Sequence, residues 1–313
     1  MLHGVQGLLD EQYVDLSTQI HSELDIELLK RTPSAFLGSC RFKLPEIHED
    51  RSIYEKIFQI LNKLEIEAFI YIGGNDSMDT IKKLSDYAII TGQSQKFLGV
   101  PKTIDNDLWG TEMTFGFNSA VEIATNVIDC IHTTATSHGR VFIVEIMGHK
   151  VGWLTLYAGV AGGADIILLP EIPYDIEKVI AAINKRTKAG KGFTILAVAE
   201  GAISKEDAKL GKKELKKKME EDKKKYPSIA YKLEAELQKK LDLDIRITIP
   251  GHMQRGGSPC PYDRVLSTRL GSEAAKLILE EDYGYMVGII NGKVKKVPLG
   301  ECAGKLKMVS PTD

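Results

Sequence analysis

The chain has 313 residues, of which 43% are hydrophobic and 27% are charged, and its formal net charge is −2. This length predicts one large or two medium-sized domains with a substantial core, and the small net charge argues against nucleic acid or an anionic membrane as a partner. Cys40, Cys130, Cys260 and Cys302 match no zinc or redox spacing, so we expect reduced thiols. With no signal-peptide pattern and no apolar run of about 18 residues, the sequence predicts a cytoplasmic protein.

Short apolar runs alternate with helical patterns along the chain. An amphipathic helix is predicted at Ser52–Lys63, a strand at Ala68–Ile72 that ends at Gly73-Gly74, and a helix at Asp79–Ile90. Further strands are predicted at Phe97–Val100, Val141–Ile146, Ile166–Leu169, Phe193–Val198, Ile245–Ile249 and Met286–Ile290. Apolar strands separated by helices predict an α/β fold with doubly wound, mostly parallel sheets, in which ligands bind beyond the carboxyl ends of the strands.

The segment from Lys205 to Lys240 is the most highly charged part of the chain, with 13 Lys and 8 Asp plus Glu residues. Apolar residues recur in it at a spacing of four, at Ile229, Leu233, Leu237 and Leu241. This spacing predicts a helix with one apolar face. We interpret the segment as a charged helical insertion that forms a solvated surface, with a docking element as the alternative.

The first candidate site is Tyr71-Ile-Gly-Gly-Asn-Asp-Ser77, at the end of a predicted strand. Two glycines allow the backbone to approach a phosphate closely, and the N-terminus of the next helix favours negative charge. The alternative is a tight turn without a functional role.

The second candidate site is Gly99-Val-Pro-Lys-Thr-Ile-Asp-Asn-Asp107. One of its two carboxylates could accept a hydroxyl proton while the other helps to hold a metal, and Lys102 offsets phosphate charge. A solvated acidic loop is the alternative interpretation.

Two further motifs follow later strands. The third consists of Arg140 and Glu145-Ile-Met-Gly-His-Lys-Val-Gly-Trp153, where core packing of Met147 and Trp153 is the alternative. The fourth consists of Arg246 and Gly251-His-Met-Gln-Arg-Gly-Gly-Ser258, whose His, Arg and Gly residues suit an anion because Arg bonds phosphate oxygens in pairs.

Together, in this order and across nearly the whole chain, these motifs resemble the phosphofructokinase family. The resemblance implies a two-lobe fold with the active site between the lobes, and an enzyme that transfers a phosphoryl group to the C1 hydroxyl of fructose 6-phosphate. It places the donor lobe at residues 1–115 and 260–302, the sugar-phosphate lobe at 116–259 with the charged insertion at 205–240, and a tail at 303–313. The implied cofactor is Mg²⁺.

The resemblance also implies roles for individual residues. Asp105 is the expected catalytic base, and Thr103 and Arg41 act on the transferred phosphoryl group. Gly74, Asn75, Asp76, Ser77 and Lys102 bind the donor, and Asp107, Asn75 and Asp76 are the expected magnesium ligands. The expected sugar-phosphate ligands are Met147, Gly148, His149, Glu200, His252 and Arg255, with Arg140 and Arg246 reaching the 6-phosphate from a neighbouring subunit. A homodimer or homotetramer is therefore implied.

Two residues predict the donor. ATP-using relatives carry Gly where this chain has Asp76 and Lys102, whereas relatives that use pyrophosphate carry Asp and Lys. A carboxylate at residue 76 would repel the α-phosphate of ATP, and the ammonium group of Lys102 can pair with pyrophosphate instead. The predicted donor is pyrophosphate, and an ATP-dependent 6-phosphofructokinase is the alternative.

The chain departs from the family pattern at three places. Asn75 and His149 replace the usual Asp and Arg, and the segment Gly4-Val-Gln-Gly-Leu8 matches a part of the family that follows the first strand and its glycine-rich loop. We therefore expect an N-terminally truncated chain whose remaining strands expose ladder groups and apolar side chains. A true start upstream is the favoured explanation, and a fragment is the alternative. These departures leave open a catalytically impaired, regulatory family member.

Overall fold

A computed structural model describes residues 1–31 and 35–312. The chain forms two compact units. The first consists of Met1–Thr103, Leu108–Phe115 and Gly257–Leu306, and the second of Ile104–Asp107, Gly116–Gly256 and Lys307–Asp313.

Helices and strands alternate through most of the chain. The α-helices are α1 (Gly4–Leu9), α2 (Glu23–Arg31), α3 (Arg51–Lys63), α4 (Asn75–Thr91), α5 (Phe117–His138), α6 (Trp153–Ala161), α7 (Ile176–Lys188), α8 (Lys205–Ala208), α9 (Lys212–Lys225), α10 (Ile229–Leu237), α11 (Pro261–Leu279) and α12 (Leu299–Cys302). The strands are β1 (Ala68–Gly73), β2 (Lys96–Thr103), β3 (Phe115–Gly116), β4 (Val141–Ile146), β5 (Ile166–Leu168), β6 (Thr194–Ala199), β7 (Ile245–Thr248), β8 (Tyr285–Ile290) and β9 (Lys293–Pro298). Short 3-10 helices lie at Leu16–Thr18 and Gly251–Arg255.

The sheet of the first unit has the strand order β1-β2-β8-β9, with β3 beside β2. β1, β2 and β8 are parallel, and β9 is antiparallel to β8. β1 is an edge strand of this sheet, and its Ile70 and Ile72 side chains are 37% and 54% exposed.

The sheet of the second unit has the order β5-β6-β4-β7, and all neighbouring pairs are parallel. Every residue of β4 and β6 is buried, which explains their uninterrupted apolar sequences, since both faces of a central parallel strand are covered. The predicted α/β class with mostly parallel sheets is confirmed.

Element boundaries differ from the prediction by a few residues. The largest shift is at α4, which begins at Asn75 and not at Asp79, because Gly74 is already its N-cap. β9 was not predicted. It pairs with β8 through a tight hairpin turn, in which Asn291 and Gly292 both have the positive φ angles that such a turn requires. Its alternation of lysine and valine hides it from a search for apolar runs.

The charged insertion forms α8, α9 and α10 in the second unit. α9 has no buried residue, whereas Leu233 and Leu237 of α10 are fully buried in the same core as β4 and β6. Leu241 and the half-buried Ile229 join them, so the predicted apolar face is present in this part of the insertion.

The unit boundaries differ from the expected lobes at four places. Residues 257–259 and 303–306, which were expected in the sugar-phosphate lobe and in the tail, belong to the first unit. Residues 104–107 belong to the second unit, although the sequence analysis put them in the donor lobe. Residues 307–313, which were expected in a separate tail, belong to the second unit as well. Within the described ranges, no helix has the length and apolar character needed to cross a membrane.

Candidate active site

The predicted donor-binding residues lie where β1 and β2 end. These strands are parallel, and Gly73 is opposite Pro101. Gly74 and Lys102 therefore lie side by side at the carboxyl ends of the two strands. Gly74 is the N-cap of α4, and a Cβ atom placed on it would lie 3.6 Å from the Cβ of Thr103. The start of α4 therefore lies beside Thr103, and a Cβ atom at residue 74 would make ordinary van der Waals contact there.

The first turn of α4 carries the rest of this motif. Asn75 and Ser77 are half-buried, and Asp76 is exposed. The backbone N–H of Ser77 donates to Gly74 O at 3.0 Å. Lys102 is exposed near the end of β2. This edge of the first unit thus presents a helix N-terminus, which favours an anion, next to one carboxylate and one ammonium group.

Tyr71 connects this loop to the segment that carries Arg41. Its hydroxyl interacts with the Cys40 thiol, the Ser77 hydroxyl and the backbone of Val5, and burial raises the pKa of Tyr71 to about 12. The segment is also held by Lys83, whose ammonium group donates to Leu44 O at 3.1 Å. Arg41 itself is exposed.

The predicted sugar-binding residues meet at the carboxyl ends of β4, β6 and β7. Met147 N donates to Gln254 Oε1 at 3.2 Å, and Gln254 Nε2 donates to Gly251 O at 3.1 Å, so Gln254 joins the loops after β4 and β7. Gly148 N donates to Glu200 Oε1 at 3.4 Å, which joins the loops after β4 and β6. The structure therefore brings three separate motifs together in the second unit.

The close approach of these loops depends on glycine. Gly148 has a φ of 135°, and a Cβ atom on it would lie 2.7 Å from Val151 O. His149, Glu200, His252 and Arg255 are exposed around these loops. A cavity of about 310 Å³ adjoins His149 and Glu200 on the side of α9. An arginine, two imidazole rings, a carboxylate and packed backbone amides are suited to a small phosphorylated polar molecule.

Arg140 and Arg246 lie at the other end of this sheet, where strands β4 and β7 begin. Arg140 precedes β4, Arg246 is the second residue of β7, and both form ion pairs with Asp244, at 2.6 and 2.7 Å. The six residues of β4 span about 20 Å, so these arginines are far from His252 and Glu200 in the same chain.

Asp105 and Asp107 follow β2 and belong to the second unit. Both are half-buried, and the buried Asn106 between them has a φ of 51°, which is uncommon for a residue other than glycine. The carbonyl oxygen of Asp107 accepts a hydrogen bond from Lys307 N at 2.9 Å. The loop is therefore fixed through its backbone.

The residues expected to bind magnesium carry oxygen atoms, which are the ligands that Mg²⁺ prefers. Among residues 1–31 and 35–312, no three His, Cys, Asp or Glu side chains form a group arranged to hold a metal. Mg²⁺ in phosphoryl-transfer sites is commonly bound by one or two carboxylates, water and substrate phosphates. Asp107 offers such a carboxylate in the second unit, whereas Asp76 offers a carboxylate and Asn75 an amide oxygen in the first.

Sequence reasoning missed several residues that organise these loops, namely Gln254, Glu171, Tyr71 and Lys307. Gln254 stands inside the motif Gly251-His-Met-Gln-Arg255, so its neighbours were a signal. Its 2% exposure marks it as a structural link between loops and not as a ligand at the surface. Glu171 and Lys307 stand outside every motif. Glu171 acts on backbone N–H groups, and Lys307 acts through its own backbone N–H and carbonyl groups, which no side-chain pattern identifies.

A family model, two curated relatives and a solved structure that match this chain are all phosphofructokinases. The family model described as phosphofructokinase matches residues 1–278. The chain is 46% identical to an ATP-dependent 6-phosphofructokinase of Spirochaeta thermophila, over 99% of this chain and 83% of the relative, and 37% identical to ATP-dependent 6-phosphofructokinase 3 of Bacteroides thetaiotaomicron, over 98% and 83%. The crystal structure of a pyrophosphate-dependent phosphofructokinase from Nitrosospira multiformis aligns with a TM-score of 0.82 and 26% identity, over 99% of this chain and 76% of that one.

Proposed function

Because the chain belongs to the phosphofructokinase family, we propose that it transfers a phosphoryl group to the C1 hydroxyl of fructose 6-phosphate, giving fructose 1,6-bisphosphate, with pyrophosphate as the donor. The observation that carries the acceptor assignment is the meeting of the loops after β4, β6 and β7, linked by Gln254 and Glu200. This arrangement offers polar groups for a sugar and cations for its phosphate.

Asp105 takes the proton of the C1 hydroxyl in this proposal, as a positioned carboxylate does in general base catalysis. Met147 and Glu200 hold the sugar, and His252 and Arg255 bind the 6-phosphate. Thr103 contacts the transferred group, and Arg41 neutralises the charge that spreads over its oxygens in the transition state.

Asp107, Asn75 and Asp76 would hold Mg²⁺, which neutralises phosphate charge when bound. The amide of Asn75 is a neutral and weaker ligand than a carboxylate.

Two side chains favour pyrophosphate. Asp76 lies in the first turn of α4, so its carboxylate occupies the region where the helix N-terminus would otherwise favour an additional phosphate. The α-phosphate of ATP would meet this negative charge, whereas pyrophosphate has no third phosphate group. Lys102 adds a compact positive charge that suits a terminal phosphate oxygen.

ATP is the second candidate donor. The two relatives with the higher identity are both named ATP-dependent, whereas the pyrophosphate-dependent neighbour is 26% identical. These names concern those proteins, and the side chains at positions 76 and 102 of this chain favour the other donor.

The test is a side-by-side assay of initial rates with pyrophosphate and with ATP at saturating fructose 6-phosphate. We expect faster turnover with pyrophosphate, and the double variant Asp76→Gly/Lys102→Gly should shift the ratio of kcat/KM values toward ATP by 10-fold or more, which corresponds to about 1.4 kcal/mol.

The matched control is Asp86→Gly/Lys96→Gly, which removes the same charges from α4 and β2 away from their loop ends. Faster turnover of the native chain with ATP would contradict the donor assignment. Binding of fructose 6-phosphate without turnover by either donor would favour a regulatory family member instead.

A further inference from the structure

Residues 307–309, which we call the strap, lie near the C-terminus and outside the part of the chain that the family model matches. Their backbone is fixed at three points in the second unit. Lys307 N donates to Asp107 O at 2.9 Å, Trp153 Nε1 donates to Lys307 O at 2.8 Å, and Val309 N donates to Glu171 Oε1 at 3.0 Å. The Val309 side chain is only 4% exposed.

Each of these contacts leads to a loop of the candidate active site. Asp107 is part of the same loop as Asp105. Trp153 begins α6, directly after the loop that contains Met147 and His149. The strap therefore connects the acidic loop with the sugar-binding loop, and it does so within one compact unit.

Glu171 strengthens this connection because one of its oxygens has two donors. Glu171 Oε1 accepts from Gly152 N at 3.0 Å as well as from Val309 N. A Cβ atom on Gly152 would lie 2.7 Å from the Leu169 side chain and 3.0 Å from Glu171 Oε2, so glycine is required for the approach. The sugar-binding loop and the strap are thus held by the same carboxylate.

These bonds act on the backbone of the loops. Lys307 N donates to the carbonyl oxygen of Asp107, and Glu171 accepts from the backbone N–H groups of Gly152 and Val309. The ammonium group of Lys307 lies over the Trp153 ring at 5.7 Å, which adds a cation–π contact to the indole hydrogen bond. Each neutral bond contributes about 1 kcal/mol, and together they restrict the two loops to one arrangement.

We propose that the strap is a positioning element that holds the Asp105–Asp107 loop in a fixed place relative to the sugar-binding loop, with Trp153 and Glu171 as positioning residues. This inference rests on the proposed function for its catalytic consequence. A misplacement of reacting groups by about 1 Å can lower a rate about 100-fold, so a weak set of bonds far from the chemistry can control kcat.

The experiment compares full-length Trp153→Phe, Glu171→Ala and Glu171→Gln with the native chain. Trp153→Phe keeps an aromatic ring but loses the indole donor, and Glu171→Gln keeps an acceptor oxygen that Glu171→Ala lacks. We expect Trp153→Phe and Glu171→Ala to lower kcat by about 10-fold or more, and to raise both the KM for fructose 6-phosphate and the Mg²⁺ concentration for half-maximal rate. Glu171→Gln should retain most of the native kcat.

The matched control is Trp109→Phe. Trp109 is the other tryptophan of the chain, belongs to the first unit and is 49% exposed, so its replacement should leave all three kinetic quantities unchanged. Equal effects of Trp109→Phe and Trp153→Phe, or native kinetics in folded Glu171→Ala, would overturn the proposal.

Hydrogen exchange gives a second measurement that does not need turnover. In Glu171→Ala we expect faster amide exchange in residues 104–108 and 147–153, with unchanged exchange in β6. Faster exchange confined to residues 307–312 would mean that the strap only packs against the unit, and would overturn the proposal. If the native chain is inactive with both donors, the exchange result still decides the positioning role, and only the proposed function fails.

Discussion

At the scale of single residues, sequence reasoning selects candidates where a side chain is expected to act itself, and it misses residues that act on backbone groups. Asp105, Glu200 and His252 stand in polar motifs after strands, so sequence reasoning selected them. Gln254 and Glu171 were missed because their partners are amide groups of distant loops. A buried polar residue with such partners organises a site whether it stands inside a motif, as Gln254 does, or outside every motif, as Glu171 does.

Tyr71 leads to a prediction at this scale. Its hydroxyl lies among Val5, Cys40 and Ser77, so it holds the donor loop next to the segment that carries Arg41. We expect Tyr71→Phe to raise the KM for the donor several-fold and to leave the KM for fructose 6-phosphate unchanged. Because burial raises the pKa of Tyr71 to about 12, the hydroxyl stays protonated between pH 6 and 9 and the effect should not vary over that range.

The control for this prediction is Tyr54→Phe. The Tyr54 hydroxyl donates to Pro45 O at 2.6 Å, and burial also raises the pKa of Tyr54 to about 12. Its removal should cost about 1 kcal/mol of unfolding free energy without changing either KM value. The same rise in donor KM in both variants would contradict the role of Tyr71.

At the scale of elements, apolar strands were predictable and polar ones were not. β4 was predicted with its observed bounds because all its residues are buried, whereas β9 was missed because lysines cover its exposed face. The charged insertion was predicted as helical, but its division into α8, α9 and α10 depends on Gly211 and on Ser228, which precede α9 and α10. The weak apolar pattern of α9 also left open what holds that helix in place.

Ion pairs hold α9, and they give a pH-dependent prediction. Asp207 is 5% exposed and pairs with Lys218 of α9 and with Lys232 of α10, the latter at 2.7 Å. Burial alone would raise the pKa of Asp207, but the hydrogen bonds from these lysines outweigh it, so the pKa is lowered. The stabilisation is therefore fully present above the unfolded-state pKa of about 4 and is lost as the pH falls through the folded-state pKa.

We expect Asp207→Asn to lower the unfolding free energy by roughly 3 kcal/mol at pH 7, because two cations lose their buried partner. The difference from the native chain should shrink when denaturant unfolding is repeated near pH 3. Asp242→Asn, at an exposed carboxylate in the same unit, is the control and should have little effect. A difference that is equal at both pH values would contradict this account of how α9 is held.

At the scale of the whole molecule, Arg140 and Arg246 are separated from the other predicted sugar-phosphate residues. This separation bears on how copies of the chain assemble. Both lie at the amino end of their strands, beside Asp244. We propose that they bind the 6-phosphate held by a second copy of the chain, which requires a homodimer or homotetramer. Sequence reasoning reached this idea only through the family resemblance, because no pattern in one chain reveals contacts between copies.

Mixing two inactive variants tests this assembly. If Arg246 serves the site of a partner, Arg246→Ala and His252→Ala are each inactive, but a hybrid dimer contains one site with both residues intact. Random mixing after dissociation should restore about one quarter of the native sites. Activity that remains at the level of the separate variants, in samples that form mixed oligomers, would contradict the shared site.

The most direct measurement is the formation of fructose 1,6-bisphosphate by native protein and by Asp105→Asn, with pyrophosphate and Mg²⁺ and with Asp242→Asn as the control. Loss of a positioned general base typically costs about 100- to 10,000-fold in rate. The account predicts that kcat falls by at least this lower amount in Asp105→Asn while fructose 6-phosphate still binds, and that the control keeps native activity. Turnover by a folded Asp105→Asn variant at close to the native rate would contradict it.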